Sequence, residues 1–493
     1  MSEVGSVVPR TTARPAEPGG RVVFAVAAVS ILALLLARNH RVFTEAVYER
    51  GDFAANSIIT GDAKHFELLV GNYSRLGFSH PGPAFFYVQA FGEWLFHDVL
   101  HAVPAPWNGQ WLALFALNAV LVGLTLTILH SWSRSWAATA LAGAAALVFL
   151  AVQPPILASA WMPHLYVAPF LLLLTAGASV MAGRLSHLPL LAVAAGFLVH
   201  GHAGFLFFVP VVVGVAVFFG WRRREPGDPH PAIYRAAAIV GVFALPMVVN
   251  LVVNWPGEFP RYFGYGGKRH THGAGDIASY ALHFWAEKPG TALALVVVLF
   301  GGVAALARHN RFLSAGLAMA GLATMLFIGY AARGIDDLSQ TYVGHFSRAV
   351  PLLLLMLLMV GVAERWTPHP WLALAVLAGA LGIAGRSPAL VSNPEHLPEL
   401  PRVVSVLNGY TGGKSAVVEL EHAAWPALTA LVAHADRTGL RVCARDPQWK
   451  FLVTADFVCT PKDVTDGRPV RLTELPPLSA TVLAEIDGMY LTS

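Results

Sequence analysis

The sequence predicts an α-helical polytopic membrane protein with about eleven transmembrane helices. It adds a long first outer loop containing an interfacial helix, and a small C-terminal α/β extracytoplasmic domain. Three observations carry this expectation. The 493-residue chain is 56% hydrophobic and only 13% charged, where soluble proteins carry roughly 25% charge. Apolar stretches of spanning length recur over most of the first 390 residues,. Polar sequence is concentrated in two places, between Asp52 and Pro83 and after Pro388.

Residues 1–20, rich in Pro, Gly, Thr and Arg, read as a disordered cytoplasmic leader. No signal-peptide cleavage pattern follows, so the first span (22–37, between Arg21 and Arg38) is expected to remain as an anchor,. Further apolar segments lie near 82–99, 109–130, 136–154, 165–183, 188–202, 203–220, 236–254, 290–307, 312–332, 347–363 and 370–385. No internal repeat is evident.

Arginine placement orients these segments. Lys and Arg concentrate in cytoplasmic loops, and Arg222, Arg223, Arg224 and Arg235 mark the clearest one, with Arg308 and Arg311 two spans later. If every segment crossed, a cytoplasmic N-terminus would put the triple arginine outside. The segment 82–99 is short, carries Glu93, His97 and Asp98, and follows Pro81 and Pro83. An amphipathic helix lying in the interface suits it better than a span. With that change about eleven spans remain, across a membrane domain over 21–387. The first outer loop, 39–108, then faces outward, as do the turn 153–164, the loops 255–288 and 333–348, and the tail. The net charge of +4 belongs to this orientation pattern rather than to nucleic acid.

The tail, 388–493, reads as an α/β unit of about 100 residues, near the lower end of autonomous size. SAVVELE, RVCA, FVCT and ATVLAEI read as strands, and HAAWPALTALVAHADRTG as a helix ending at a glycine,. A cap packed on the outer face is an equal reading of this unit. Cys443 and Cys459 are the chain's two cysteines. An even pair in one oxidising compartment is compatible with a disulfide, though spacing alone does not establish it.

The stretch from Asp52 to Pro83 holds the chemistry. A loop this long is functional or disordered, and Phe53, Ile58, Phe66, Leu68, Leu69, Tyr73 and Phe78 give it apolar groups to bury. Asp52 fits either a general base or a helix N-cap, and Asp62 a cap or a surface acid. In SHPGP, prolines around a glycine set a rigid turn that holds His80,; such an imidazole can bind phosphate, donate a proton, ligate a metal or cap a helix. Trp161 and His164 in WMPH, His200 and His202 in HGH, and His345 and Arg348 in GHFSR all fall on the same predicted side. Ionisable groups near membrane depth are functional candidates, with interfacial snorkelling as the plainer role of any single one. His270 and His272 lack the further ligands of a zinc site,. No phosphate-binding G-x-x-x-x-G-K-[ST] loop or dinucleotide fingerprint is present.

With these residues in view, the chain resembles the GT-C glycosyltransferases, a superfamily that includes protein O-mannosyltransferases and lipid A aminoarabinose transferases. More closely, GDFAANSI…GNYSRLGFSHPGPAFFYV is similar to a bacterial group of GT-C-like membrane proteins, and YSRxGFxHPGP is its most specific motif. The resemblance covers roughly residues 20–365. It implies a sugar donor carried on a polyprenyl phosphate, with inverting transfer at the outer face of the bacterial plasma membrane. The acceptor would be a glycan, lipid or protein. Asp52 matches the superfamily's first-loop acid, His80 the position before the proline turn, and Arg348 the basic residue that meets the donor phosphate. HGH stands where relatives carry a lysine. Phe53 stands where many relatives have Glu, and WMPH lacks a second acid; both departures bear on a divalent metal, which is possible but not required.

The mechanism implied is a one-carboxylate version of inverting glycosidase logic, with Asp52 taking the acceptor proton. Arg348, Arg75, His80 or His202 would stabilise the departing phosphate, and Tyr73, Phe85, Phe86 and Tyr87 would line a lipid groove or stack on sugar. A transporter or flippase of a lipid-linked sugar, without chemistry, is the alternative. Polar groups crowded on one side, with no repeat, favour the enzyme over it. A structural membrane subunit with a binding domain is a third reading.

Overall fold

The computed structural model describes residues 18–153, 155–266, 271–386, 396–475 and 480–493. The leader expected over 1–20 lies outside them except for its last three residues, which already begin helix α1 (Pro18–Arg38). The domain junction expected at 387/388 and His270 also lie outside the described residues. At 1.5 Å per residue α1 is about 31 Å long, matching a hydrocarbon core of roughly 30 Å.

Among the described residues, eight helices are long and apolar enough to cross a membrane, and three shorter apolar helices accompany them, Trp136–Val152, Leu185–Gly201 and Pro370–Ala384. The chain is an α-helical polytopic membrane protein. At its centre runs the segment Met162–Met181, whose side chains are apolar on nearly every face and buried on nearly every face. Such a helix belongs in the core of a bundle. Small residues on it admit close neighbours: Gly177 faces Met319, Val212 and Ala216,. By contrast, His230–Val253 has no buried residue and packs at the periphery.

The segment 39–108, expected as the first outer loop, is largely helical. Helix α2 (Gly51–Lys64) leads to a two-stranded hairpin of β1 (Tyr73–Ser74) and β2 (Phe78–Ser79), then to α3 (Ala84–Gly92). The 82–99 segment, expected as one interfacial helix, is in two parts, because α3 continues as a π-helix over Glu93–Val99. Phe85, Phe86, Gln89 and Glu93 face inward, whereas Phe91, Trp94, Val99 and Leu100 are exposed. Lys64 bridges Glu93 at 2.7 Å and Asp98 at 2.8 Å, fastening the end of α2 to the π-helix.

The C-terminal unit contains a five-stranded sheet. Its strands are β3 (Ala416–Leu420), β4 (Val442–Ala444), β5 (Arg468–Thr473), β6 (Val482–Ile486) and β7 (Met489–Thr492), in the order β4-β3-β5-β7-β6. The first three are parallel and the last two antiparallel. Helix α4 (Trp425–Arg437) crosses between β3 and β4, and Gly439, at φ 79, follows it. FVCT is not a strand, contrary to expectation: Val458 makes one bridge to Ala444, and Cys459 joins Cys443 in a disulfide. Strands β5 and β7 were not anticipated.

This unit is more than a cap, because it shares its core with α2. Ala54, Ala55 and Ile58 of α2 belong to its hydrophobic core, beside Leu428 and Leu431 of α4. The two alanines let the helices approach closely. Arg437 bridges Glu49 at 2.8 Å and also bonds Ser57, and Thr429 Oγ1 donates to Gly51 O at 3.2 Å. The helix bearing Asp52 is therefore held from both sides.

Candidate active site

Asp52 is the second residue of α2, and the N-cap position belongs to Arg50. The alternative reading of Asp52 as an N-cap is thereby corrected. Gly51 takes φ 56, in the left-handed region, and a Cβ there would lie 3.5 Å from Trp425. That turn frees the Asp52 carboxylate to face inward, where Tyr73 donates its hydroxyl to Oδ1 and Trp161 donates its indole N–H to Oδ2 at 2.9 Å. The positive end of the α2 dipole favours the negative charge. Two of about four acceptor positions on the carboxylate are used, leaving capacity for an incoming hydroxyl.

Trp161 links this carboxylate to a second group of residues. Its ring lies 5.6 Å from Tyr342, 5.3 Å from His164 and 6.2 Å from His345. The His164 and His345 rings meet edge to face at 4.9 Å. The Arg348 guanidinium stands 5.9 Å from the Phe284 ring and within electrostatic range of both histidines. His164 Nδ1, His345 Nδ1 and Arg348 Nε are buried without a hydrogen-bond partner. An unmet buried polar atom costs about 1–3 kcal/mol, and the Arg348 Nε donor gives this group the polarity to bind an anion.

Arg75, at the hairpin, is already engaged. Its Nη2 pairs with Asp336 Oδ1 at 2.5 Å, and it also bonds the Tyr342 side chain. It closes one side of the site through Tyr342 and keeps a carboxylate of its own.

His80, His200 and His202 form a separate cluster that locks the loop to the membrane helices. Ala84 N–H donates to His200 Nδ1 at 3.2 Å, so the proton is on Nε2, which donates to Phe243 O at 2.6 Å. Ala203 N–H donates to His80 Nδ1 at 3.2 Å, and the His80 and His202 rings pack at 4.4 Å, tilted by 38°. Burial, reinforced by His202, pushes the His80 imidazole well below its ordinary pKa. Burial pushes His202 down to about 4. A Cβ on Gly82 would lie 2.4 Å from His200 Nδ1, which explains the glycine inside SHPGP. These histidines are neutral and used by the backbone, so they are poor phosphate partners.

Asp62 lies ten residues along α2 from Asp52, about 15 Å by helical rise. Burial first, then Asp456, Glu67 and Asp436, push its carboxyl up to about 6. It faces the C-terminal unit rather than the Trp161 group. Among the described residues no three His, Cys, Asp or Glu side chains gather to hold a metal ion. Asp52 stands with aromatic donors around it, so the residues present do not fit a divalent cation at this carboxylate.

No protein-family model and no curated sequence matches this chain. Among solved structures, ArnT from Cupriavidus metallidurans, bound to undecaprenyl phosphate, superposes with a TM-score of 0.59. The match covers 97% of this chain and 98% of that one at 14% sequence identity. The fold is ArnT-like. Because the match runs nearly end to end, the ArnT-like architecture takes in the C-terminal unit as well as the helical body. At 14% identity the likeness is one of fold.

Sequence reasoning placed Asp52, Trp161, His164, His345 and Arg348 on one side, and the structure brings these five together. It had Tyr73 only as a lining aromatic and passed over Tyr342 and Asp336. A Tyr that opens the YSRxGF motif was the one signal available for Tyr73.

Proposed function

We propose that the protein transfers a sugar from a polyprenyl-phosphate donor to a cell-envelope hydroxyl, inverting the anomeric centre. The reaction takes place on the outer face of a bacterial plasma membrane, with the N-terminus cytoplasmic and the C-terminal unit outside. One observation carries the reading. A carboxylate fixed by Tyr73 and Trp161 stands one indole away from a half-buried arginine and two imidazoles with unused polar atoms.

In this reading Asp52 accepts the proton of the acceptor hydroxyl as its oxygen attacks the anomeric carbon. The bond to the lipid phosphate breaks on the opposite face, and the phosphate leaves with the electron pair. It carries negative charge from the start, so it needs cations more than an acid. Arg348 supplies the charge, and His164 and His345 supply hydrogen bonds. Arg75, neutralised by Asp336, orients Tyr342 instead. An apolar cleft of about 310 Å³ lined by Leu191, Val209, Val213, Val240 and Phe243, with His200 on its wall, offers room for part of a prenyl chain.

The experiment is mass spectrometry of envelope glycans and polyprenyl-phosphate sugars in cells lacking the protein. Missing glycosylation with accumulated donor supports the reading, and an unchanged envelope contradicts it. Transfer by purified protein separates the enzyme from a flippase, which leaves the glycosidic bond intact.

A further inference from the structure

Phe451 is an apolar side chain left in the open beside the proposed base. It lies in the helical turn Lys450–Val453, which packs against both α2 and β1. Its ring meets Tyr73 edge to face at 5.9 Å, and Tyr73 is the hydroxyl that holds Asp52. On its other side it is parallel to Trp449, at 6.4 Å and 24°. Trp449 is buried at 3% exposure, yet Phe451 is 41% exposed. Two rings thus fix its orientation while one face stays open.

The turn carrying Phe451 is held there at a cost. Thr454, just after it, takes φ 63 and ψ 179, a conformation that costs a non-glycine residue about 1–3 kcal/mol,. Its Oγ1 is buried without a partner. Strain of this kind gathers at ligand-binding segments. Arg437 and Thr429 fasten the same unit to α2, so the spacing between Phe451 and Asp52 is fixed.

We propose that Phe451 forms the platform of an acceptor subsite for a carbohydrate ring. The apolar C–H face of the sugar lies on the open face of Phe451. A hydroxyl of the same glycan then reaches Asp52. The C-terminal unit therefore selects the acceptor, while the membrane helices hold the donor. This assignment rests on the reading of Asp52 as the base of a sugar transferase.

The test uses the full-length protein in nanodiscs and two probes read by saturation-transfer NMR. One is undecaprenyl phosphate; the other is a panel of methyl glycosides of hexopyranoses and pentofuranoses. The wild type should bind the lipid and at least one glycoside. Phe451→Ala and Phe451→Leu should each weaken the glycoside about three- to tenfold, the range of an aromatic contact, and leave the lipid unchanged. Phe451→Trp should restore the glycoside, and melting curves identify any variant that fails to fold. Glycoside affinity unchanged in folded Phe451→Leu overturns the subsite, as does a wild type that binds the lipid and no glycoside. A wild type that binds no undecaprenyl phosphate removes instead the donor reading beneath it.

Discussion

The Trp161 indole N–H donates to Asp52 Oδ2 across 2.9 Å, tying α2 to the start of a central apolar helix. The same ring packs on His164, His345 and Tyr342. One side chain therefore sets both the orientation of the proposed base and its spacing from the proposed phosphate site. Trp161→Phe keeps the ring and deletes the donor. A hydrogen bond to a charged group contributes about 1.5–3 kcal/mol, so sugar transfer should fall about ten- to a hundredfold. Undecaprenyl phosphate binding should hold, and unchanged transfer in a folded variant would show that this bond does not position Asp52.

The histidine lock makes a pH prediction. His80 and His202 titrate below their ordinary value in the fold, while in the unfolded chain they titrate near 6.5. As pH falls through 6.5 the unfolded state takes up protons that the native state refuses, so stability is lost. The loss continues down to about 4, the value for His202. Melting temperature should therefore drop between pH 6.5 and 4, and His202→Asn should flatten that slope. An identical slope in the variant would remove His202 as the cause.

The disulfide gives a test in the C-terminal unit. Cys443 and Cys459 are 16 residues apart, and Cys443 is fully buried. A loop of this size contributes about 3 kcal/mol by chain-entropy reasoning. The double variant Cys443→Ala/Cys459→Ala should lose roughly that much in denaturant unfolding of the unit. Two free thiols, counted by alkylation mass shift in protein purified without reductant, would rule the bond out.

Orientation is checked by chemistry from outside. Leu76 on the hairpin and Arg224 on the far loop are both exposed. In intact spheroplasts, Leu76→Cys should react with a membrane-impermeant thiol reagent, and Arg224→Cys should not. Labelling of Arg224→Cys alone would invert the proposed topology.

Much of this molecule is legible in its sequence, and the gaps have physical causes. The helical body follows from apolar segment lengths. Asp52 was visible as an acid just beyond the first span. Its partners were not, because Tyr73 and Trp161 are 21 and 109 positions away and helix packing leaves no periodic trace of such contacts. Strand β5 was hidden by Pro469, which argues against a central strand. The strand tolerates it because β7 pairs only from Arg471 onward, so Pro469 has a single neighbour. Helix α2, with Gly61 and β-branched residues, is weak by propensity and is sustained by burial of Ala54, Ala55 and Ile58 against the C-terminal unit.

The most direct measurement compares Asp52→Asn with Arg348→Ala, reading sugar transfer and undecaprenyl phosphate binding separately on purified protein. Asparagine keeps the volume of the side chain but removes the basic carboxylate, and a general base is worth about 10²–10⁴-fold in rate. Transfer by Asp52→Asn should fall by that factor with lipid binding nearly intact, whereas Arg348→Ala should weaken both. Asp62→Asn, about 15 Å along the same helix, should change little. Full transfer activity in folded Asp52→Asn would contradict the assignment of the base, and with it the central claim.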